Sequence, residues 1–290
     1  GRCVVTNRAA DDRILPETRW ASVAIAIILL VAFALLFFWP DDTDRMFAWT
    51  IRPRMTPLLM GTGYLAGSYV FIRMIFETRW HRAGQGFLPV AAFSVFMVLA
   101  TLLHWDRFNH GHITFSMWVA VYVATSLLMP VLYLRNRAAD PGTPEADDVL
   151  VPRAVGWIFG AMGAIMAAVA LFLFLLPQAA ISVWPWQLTP LTSRVIAGWY
   201  TLPAGIGIIA LFERRWSALR YLVQASVMWM LLLLVAIARA WGDFDQANPL
   251  TWVYIGSIVG TLAGMAALYV AMEARRRAPG ATLRHEAAAH

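Results

Sequence analysis

Long apolar runs alternate with short polar breaks along this chain, and the pattern occurs eight times. The runs cover roughly residues 21–39, 56–76, 87–104, 113–134, 154–176, 194–212, 217–239 and 251–272. A helix needs about 20 mostly apolar residues to cross a hydrocarbon core of about 30 Å, so each run predicts one spanning helix. None alternates with the period of two that a membrane β-strand requires. The predicted fold class is all-α, a polytopic membrane bundle of eight transmembrane helices. The breaks, at most about 20 residues long, leave no room for a soluble domain. Any chemistry must sit inside the bundle or on one of its rims.

The pattern also repeats. Phe76-Glu77-Thr78-Arg79-Trp80 recurs as Phe212-Glu213-Arg214-Arg215-Trp216, an offset of 136 residues. The same offset carries Tyr64 onto Tyr200, Trp105 onto Trp241 and Phe108 onto Phe244. With small gaps, Thr56-Pro57-Leu58 falls on Thr189-Pro190-Leu191. Such self-similarity predicts a tandem repeat of two four-helix units. With four spans each, both units enter the membrane in the same direction, related by an axis along its normal. The expected organisation is an N-terminal segment 1–19, a first repeat 20–140, a linker 141–153, a second repeat 154–274 and a basic tail 275–290.

Composition agrees: 60% of positions are hydrophobic and 14% charged. All 23 basic residues are arginine, and 17 fall in the N-terminal segment, the tail and the connections on their side of the membrane. The positive-inside rule then predicts that both ends face the cytoplasm. The net charge of +6 is spread over separate segments, which argues against nucleic acid and for attraction to anionic lipid, most of all at Arg275-Arg276-Arg277. Cys3 is the only cysteine, which excludes disulfides within the chain. The first apolar run ends in Phe38-Trp39-Pro40-Asp41, without a small-residue cleavage site, and is expected to be a retained span.

Several features predict packing. Gly156-x3-Gly160 and Gly256-x3-Gly260-x3-Gly264 each line one helix face and admit a close neighbour. The second series is expected to face the bundle interior, with a seam between two copies as the alternative. Trp105, Phe108, Trp241 and Phe244 are expected in an aromatic belt. Glu77 and Glu213 are expected to pair with the arginines two residues on, in exposed rim contacts usually worth under ~1 kcal/mol. Asp243 and Asp245 are expected to pair with Arg239 or Arg107.

Two constellations could carry chemistry. Helix 2 is interrupted by Gly61, Gly63 and Gly67, and its counterpart helix 6 by Gly198, Pro203, Gly205 and Gly207. Proline removes an amide and frees a carbonyl one turn back. Paired breaks at matching positions of two repeats point to a transporter's central site. Tyr64, Gly67, Tyr200 and Pro203 are therefore the candidate substrate-binding residues, with kinks filled by ordinary packing as the plainer reading. The second constellation is the loop from His104 to His112. His104, Asp106, His110 and His112 could converge on a divalent metal, or a histidine could hold haem. Interfacial hydrogen bonding is the plainer reading of these side chains. No Asp, Glu, Arg or His sits in the middle of any run, which disfavours proton relays and charged substrates at the midplane.

The stretch Leu103-His104-Trp105-Asp106-Arg107-Phe108-Asn109-His110, together with Trp184-Pro185-Trp186-Gln187-Leu188-Thr189-Pro190-Leu191-Thr192, resembles a family of multi-pass inner-membrane proteins of high-GC bacteria. The resemblance implies a bacterial inner-membrane location and carries no assigned activity. Three functional expectations follow. The first is a transporter-like protein for a small neutral or amphiphilic solute, with its site between helices 2 and 6. The second is a scaffold or accessory subunit, partnered by another membrane protein or a second copy of itself. The third is a metal- or haem-dependent membrane enzyme using the His104–His112 loop. The sequence favours a non-enzymatic role.

Overall fold

The computed structural model describes residues 11–278; Cys3 and the end of the basic tail lie outside them. Eight long helices appear among the described residues: α1 (Pro16–Phe38), α2 (Met55–Phe76), α3 (Phe87–Leu103), α4 (Ile113–Arg137), α5 (Arg153–Leu175), α6 (Pro190–Phe212), α7 (Trp216–Arg239) and α8 (Pro249–Arg277). All eight are long and apolar enough to cross a membrane. The protein is an all-α, polytopic integral membrane protein.

Boundaries differ from the apolar runs where polar residues favour helix. α6 starts at Pro190 because Thr189 and Thr192 form a reciprocal capping box and proline is tolerated in the first turn. α8 continues to Arg277 because Glu273-Ala274-Arg275-Arg276-Arg277 are good helix formers, with the arginines complementing the helix dipole.

Packing separates an inner from an outer ring. α1 packs on α2, α3 on α4, α5 on α6 and α7 on α8, while α2 against α7 and α3 against α6 join the two halves. The apolar stretches of α2, α6, α7 and the span containing α3 are 44–61% buried, against 11–28% for α1, α4, α5 and α8. The outer four therefore present their apolar flanks to lipid.

Glycine decides two of these contacts. On α5, a Cβ at Gly163 would stand 2.9 Å from the Ala204 carbonyl oxygen, and one at Gly156 would stand 2.8 Å from that of Ala210. Facing them on α6, a Cβ at Gly207 would meet the Phe159 carbonyl at 2.4 Å. The α5 and α6 backbones thus touch, as the sequence predicts for the α5 glycines. The α8 series behaves differently. Nothing lies within 4 Å of a Cβ built on Gly256, Gly260 or Gly264, so this face looks outward, contrary to the expectation that it faces the interior. The reason is that α8 has α7 as its main neighbour and presents its other side to that helix.

The apolar core is divided. One large cluster fills the centre and the face away from the described chain ends, and two smaller ones sit near the terminal face around Trp80 and Trp216. Phe108 and Phe244, expected in the belt, are each 5% exposed and belong to the large cluster, whereas Trp105 and Trp241 remain half-exposed. Backbone contacts hold both aromatics in like fashion. The Asn109 amide donates to the Ala48 carbonyl at 2.8 Å, and the Asp245 amide to the Pro185 carbonyl at 2.9 Å. Asp243 accepts the Met55 amide at 2.8 Å and so caps α2, while Arg239 donates to the Phe37 carbonyl at the end of α1. The expected Asp243–Arg239 pair is replaced by two helix caps.

Candidate functional site

The four predicted substrate residues do not converge on one cavity. Tyr64 and Gly67 line a cavity of about 250 Å³ among α1, α2, α3 and α4. Tyr200 and Pro203 line another of about 190 Å³ among α5, α6, α7 and α8. Trp199 borders both. Between them α2 and α6 are tightly filled: the six-membered ring of Trp199 lies against Gly63, and Trp199 stacks edge-on with Tyr64 at 4.9 Å between centroids.

Each cavity opens sideways. Ile27 and Val31 of α1 and Met117 of α4 line the first while remaining exposed, and Met162 of α5 and Ser257 of α8 do so for the second. Inside the first, the Tyr64 and Tyr122 hydroxyls are paired at 2.6 Å. Gly67 lets Leu29 approach, its methyl being 3.4 Å from where a Cβ would stand.

The histidine loop forms no ligand set. His104 Nε2 lies 2.6 Å from an Arg194 guanidinium nitrogen, an arrangement that keeps the ring neutral as acceptor. Burial, followed by the nearby Arg194 charge, pushes its pKa below the ordinary histidine value. His110 Nε2 meets the Trp105 carbonyl at 2.9 Å. His112 Nδ1 accepts the Thr114 amide at 3.3 Å and caps α4. Asp106 pairs with Arg107 at the surface. Each side chain is engaged separately.

A denser polar site lies on the terminal face, where the sequence predicted only exposed ion pairs. The chain before α1 and the linker before α5 each run back along the turn preceding a tryptophan. The Trp80 amide donates to the Asp12 carbonyl at 2.8 Å, and the Trp216 amide to the Val149 carbonyl at 3.0 Å. The Asp12 carboxylate then accepts the His81 amide at 3.2 Å, as Asp148 accepts the Ser217 amide at 3.0 Å. Asp148 follows Asp12, and Ser217 follows His81, at the same 136-residue offset. Where the halves meet, His81 bonds Asp12 through Nδ1 and Ser217 Oγ through Nε2, the latter at 3.0 Å.

Charges surround this junction. Arg215, 6% exposed, holds Asp140 through two bonds of 2.8 and 2.9 Å and Glu213 through Nε, at 3.0 and 3.1 Å, and Nη2, at 2.6 Å. Arg82 clamps Glu145 with both ends of its guanidinium. Glu77 accepts the Tyr221 hydroxyl at 2.8 Å and lies near Arg82, while Arg79 reaches Glu145, so only Glu213 keeps the expected partner two residues on. Burial pushes the carboxyls of Glu77, Asp140 and Glu145 up, but hydrogen bonds and the facing arginines outweigh it, and all three titrate below the ordinary carboxylate range. Arg82 and Arg215 are held more firmly protonated by the same pairs.

Asp12, His81 and Asp140 offer three ligand atoms within 4.8 Å of one another, a spacing that could hold a metal ion. The donor set fits poorly, because both imidazole nitrogens are hydrogen-bonded and Asp140 is bidentate to Arg215. Every atom is satisfied within the protein, so the cluster acts as a clasp between the halves. The signal that could have revealed it was the Asp12/Asp148 match, hidden in segments too polar to draw notice beside the spans.

Comparison with known protein families, curated proteins and solved structures finds no match to this chain.

Proposed function

We propose that the protein is a transporter-like carrier of a small amphiphilic solute, with one lipid-facing binding cavity in each half. The observation that carries this reading is the pair of apolar cavities of about 250 and 190 Å³, both walled by residues that also face lipid. Solute would enter from the bilayer, since the space between α2 and α6 is occupied by Trp199. Few hydroxyls and no titratable acid or base other than tyrosine line either cavity, which suits a neutral molecule. The 136-residue offset and the like contacts of Asp12 with His81 and of Asp148 with Ser217 support descent from one duplicated four-helix unit. The arginine bias supports cytoplasmic ends, and the resemblance noted above supports a bacterial inner membrane.

The test is protein-dependent efflux of a radiolabelled short-chain alkyl glycoside, an uncharged amphiphile, from preloaded proteoliposomes. Gly67→Leu should fill the first cavity and lower the protein-dependent rate several-fold while the protein stays folded. A wild-type rate equal to that of empty liposomes would remove the carrier reading. It would leave a scaffold, which the bare outward face of α8 favours.

A further inference from the structure

The two cavities differ in one chemical respect. In the first, Tyr64 and Tyr122 satisfy each other. In the second, Tyr200 stands 136 residues after Tyr64, yet its hydroxyl has no hydrogen-bond partner among the described residues. The hydroxyl of Tyr254, on the same wall, has none either. Both rings rest on Trp184, with centroids 6.1 and 6.4 Å away, and the Trp184 Nε1 is buried without a partner. Trp199, next to Tyr200 on α6, is 3% exposed, and its Nε1 is likewise unpartnered. Pro203 has no amide to give the Trp199 carbonyl.

Polar groups on an apolar wall are nearly always paired, so the two unpaired tyrosine hydroxyls of this cavity call for a partner from outside the chain. Each hydroxyl has a proton to donate. We propose that the second cavity holds an apolar molecule bearing a carbonyl oxygen, with that oxygen received by the hydroxyls of Tyr200 and Tyr254. No Asp, Glu, Arg, Lys or His lines the cavity, so the ligand is uncharged. Its body lies among Met162, Met166, Met230 and Met265, whose unbranched side chains adapt to irregular shapes. The first cavity, with its tyrosines already paired, makes no such demand. This inference rests on the carrier reading but concerns occupancy, not movement.

The full chain in detergent is illuminated with 4-hexylbenzophenone, a photoreactive diaryl ketone, and its adducts are mapped by mass spectrometry. Benzophenone favours methionine; four methionines line the second cavity and Met117 lines the first. Adducts should concentrate on Met166, Met230 and Met265, and excess 2-decanone should reduce them about tenfold, whereas decane should not. Tyr200→Phe with Tyr254→Phe should cause a similar loss. Competition on the wild-type protein needs no variant, so a misfolded mutant leaves the test intact. Labelling shared evenly with Met117, or decane competing as well as the ketone, overturns the proposal. Lost flux with intact labelling removes only the carrier reading, and intact flux with scattered labelling removes only this one.

Discussion

Gly63 of α2 and Trp199 of α6 occupy one another's space: a Cβ on Gly63 would stand 2.3 Å from the nearest indole carbon. This contact closes the centre of the bundle and divides its free volume into two. Gly63→Ala must push back a side chain stacked on Tyr64, Phe93 and Trp229. Overpacking of this kind costs about 1–3 kcal/mol. The expected result is a lower melting temperature in detergent, measured by intrinsic fluorescence, which a Gly63→Ala, Trp199→Phe double variant partly restores.

The two glycine series should respond oppositely. Gly163→Ala and Gly207→Ala drive a methyl into the facing backbone and should destabilise the α5–α6 pair. Gly260→Ala meets nothing within 4 Å and should leave stability unchanged or raise it by up to about 1 kcal/mol through helix propensity. Equal losses for the two would refute the packing described.

Removing Arg215 leaves Asp140 and Glu213 without their shared cation, at a cost of about 3–5 kcal/mol, whereas removing Asp140 leaves Arg215 paired with Glu213. Arg215→Met should therefore lower stability strongly and Asp140→Asn less, and the double variant less than their sum. Additive losses in the double-mutant cycle would show that the two side chains act independently.

The same clasp sets an acid limit. Glu77, Asp140 and Glu145 titrate lower in the folded protein than in the unfolded chain. Their contribution is therefore present above the unfolded carboxylate values and lost as pH falls through the depressed ones. Thermal stability should decline below about pH 4. Asp140→Asn should flatten that decline.

In the histidine loop, His112→Ala should cost about 0.5–1 kcal/mol as a lost helix cap, and His112→Asn should restore it. The purified protein's metal content should be the same for wild type and a His110→Ala, His112→Ala pair. A divalent ion lost in the double variant would revive the loop as a metal site.

The spans were legible because burial in lipid demands long apolar runs, and each of the eight lies within a few residues of its run. The α5 glycines could be read for the same reason: backbone contact leaves few residue choices. What escaped was anything set by tertiary placement. His104, His110 and His112 are close in sequence, but the turn sends their rings to three different partners. Conversely, Asp12 and His81 are separated by 69 residues, and no local pattern joins them. Tyr64 and Tyr200 each lie on a cavity wall, whereas the division between those cavities depends on where the Trp199 ring falls.

Partner order has a consequence for biosynthesis. α2 and α3 pack against α7 and α6, helices that leave the ribosome much later. Until the seventh span is inserted, the bundle's middle has no completed wall. The early helices must wait in the bilayer with their glycine-rich and hydroxyl-bearing sides open to lipid or to a chaperone.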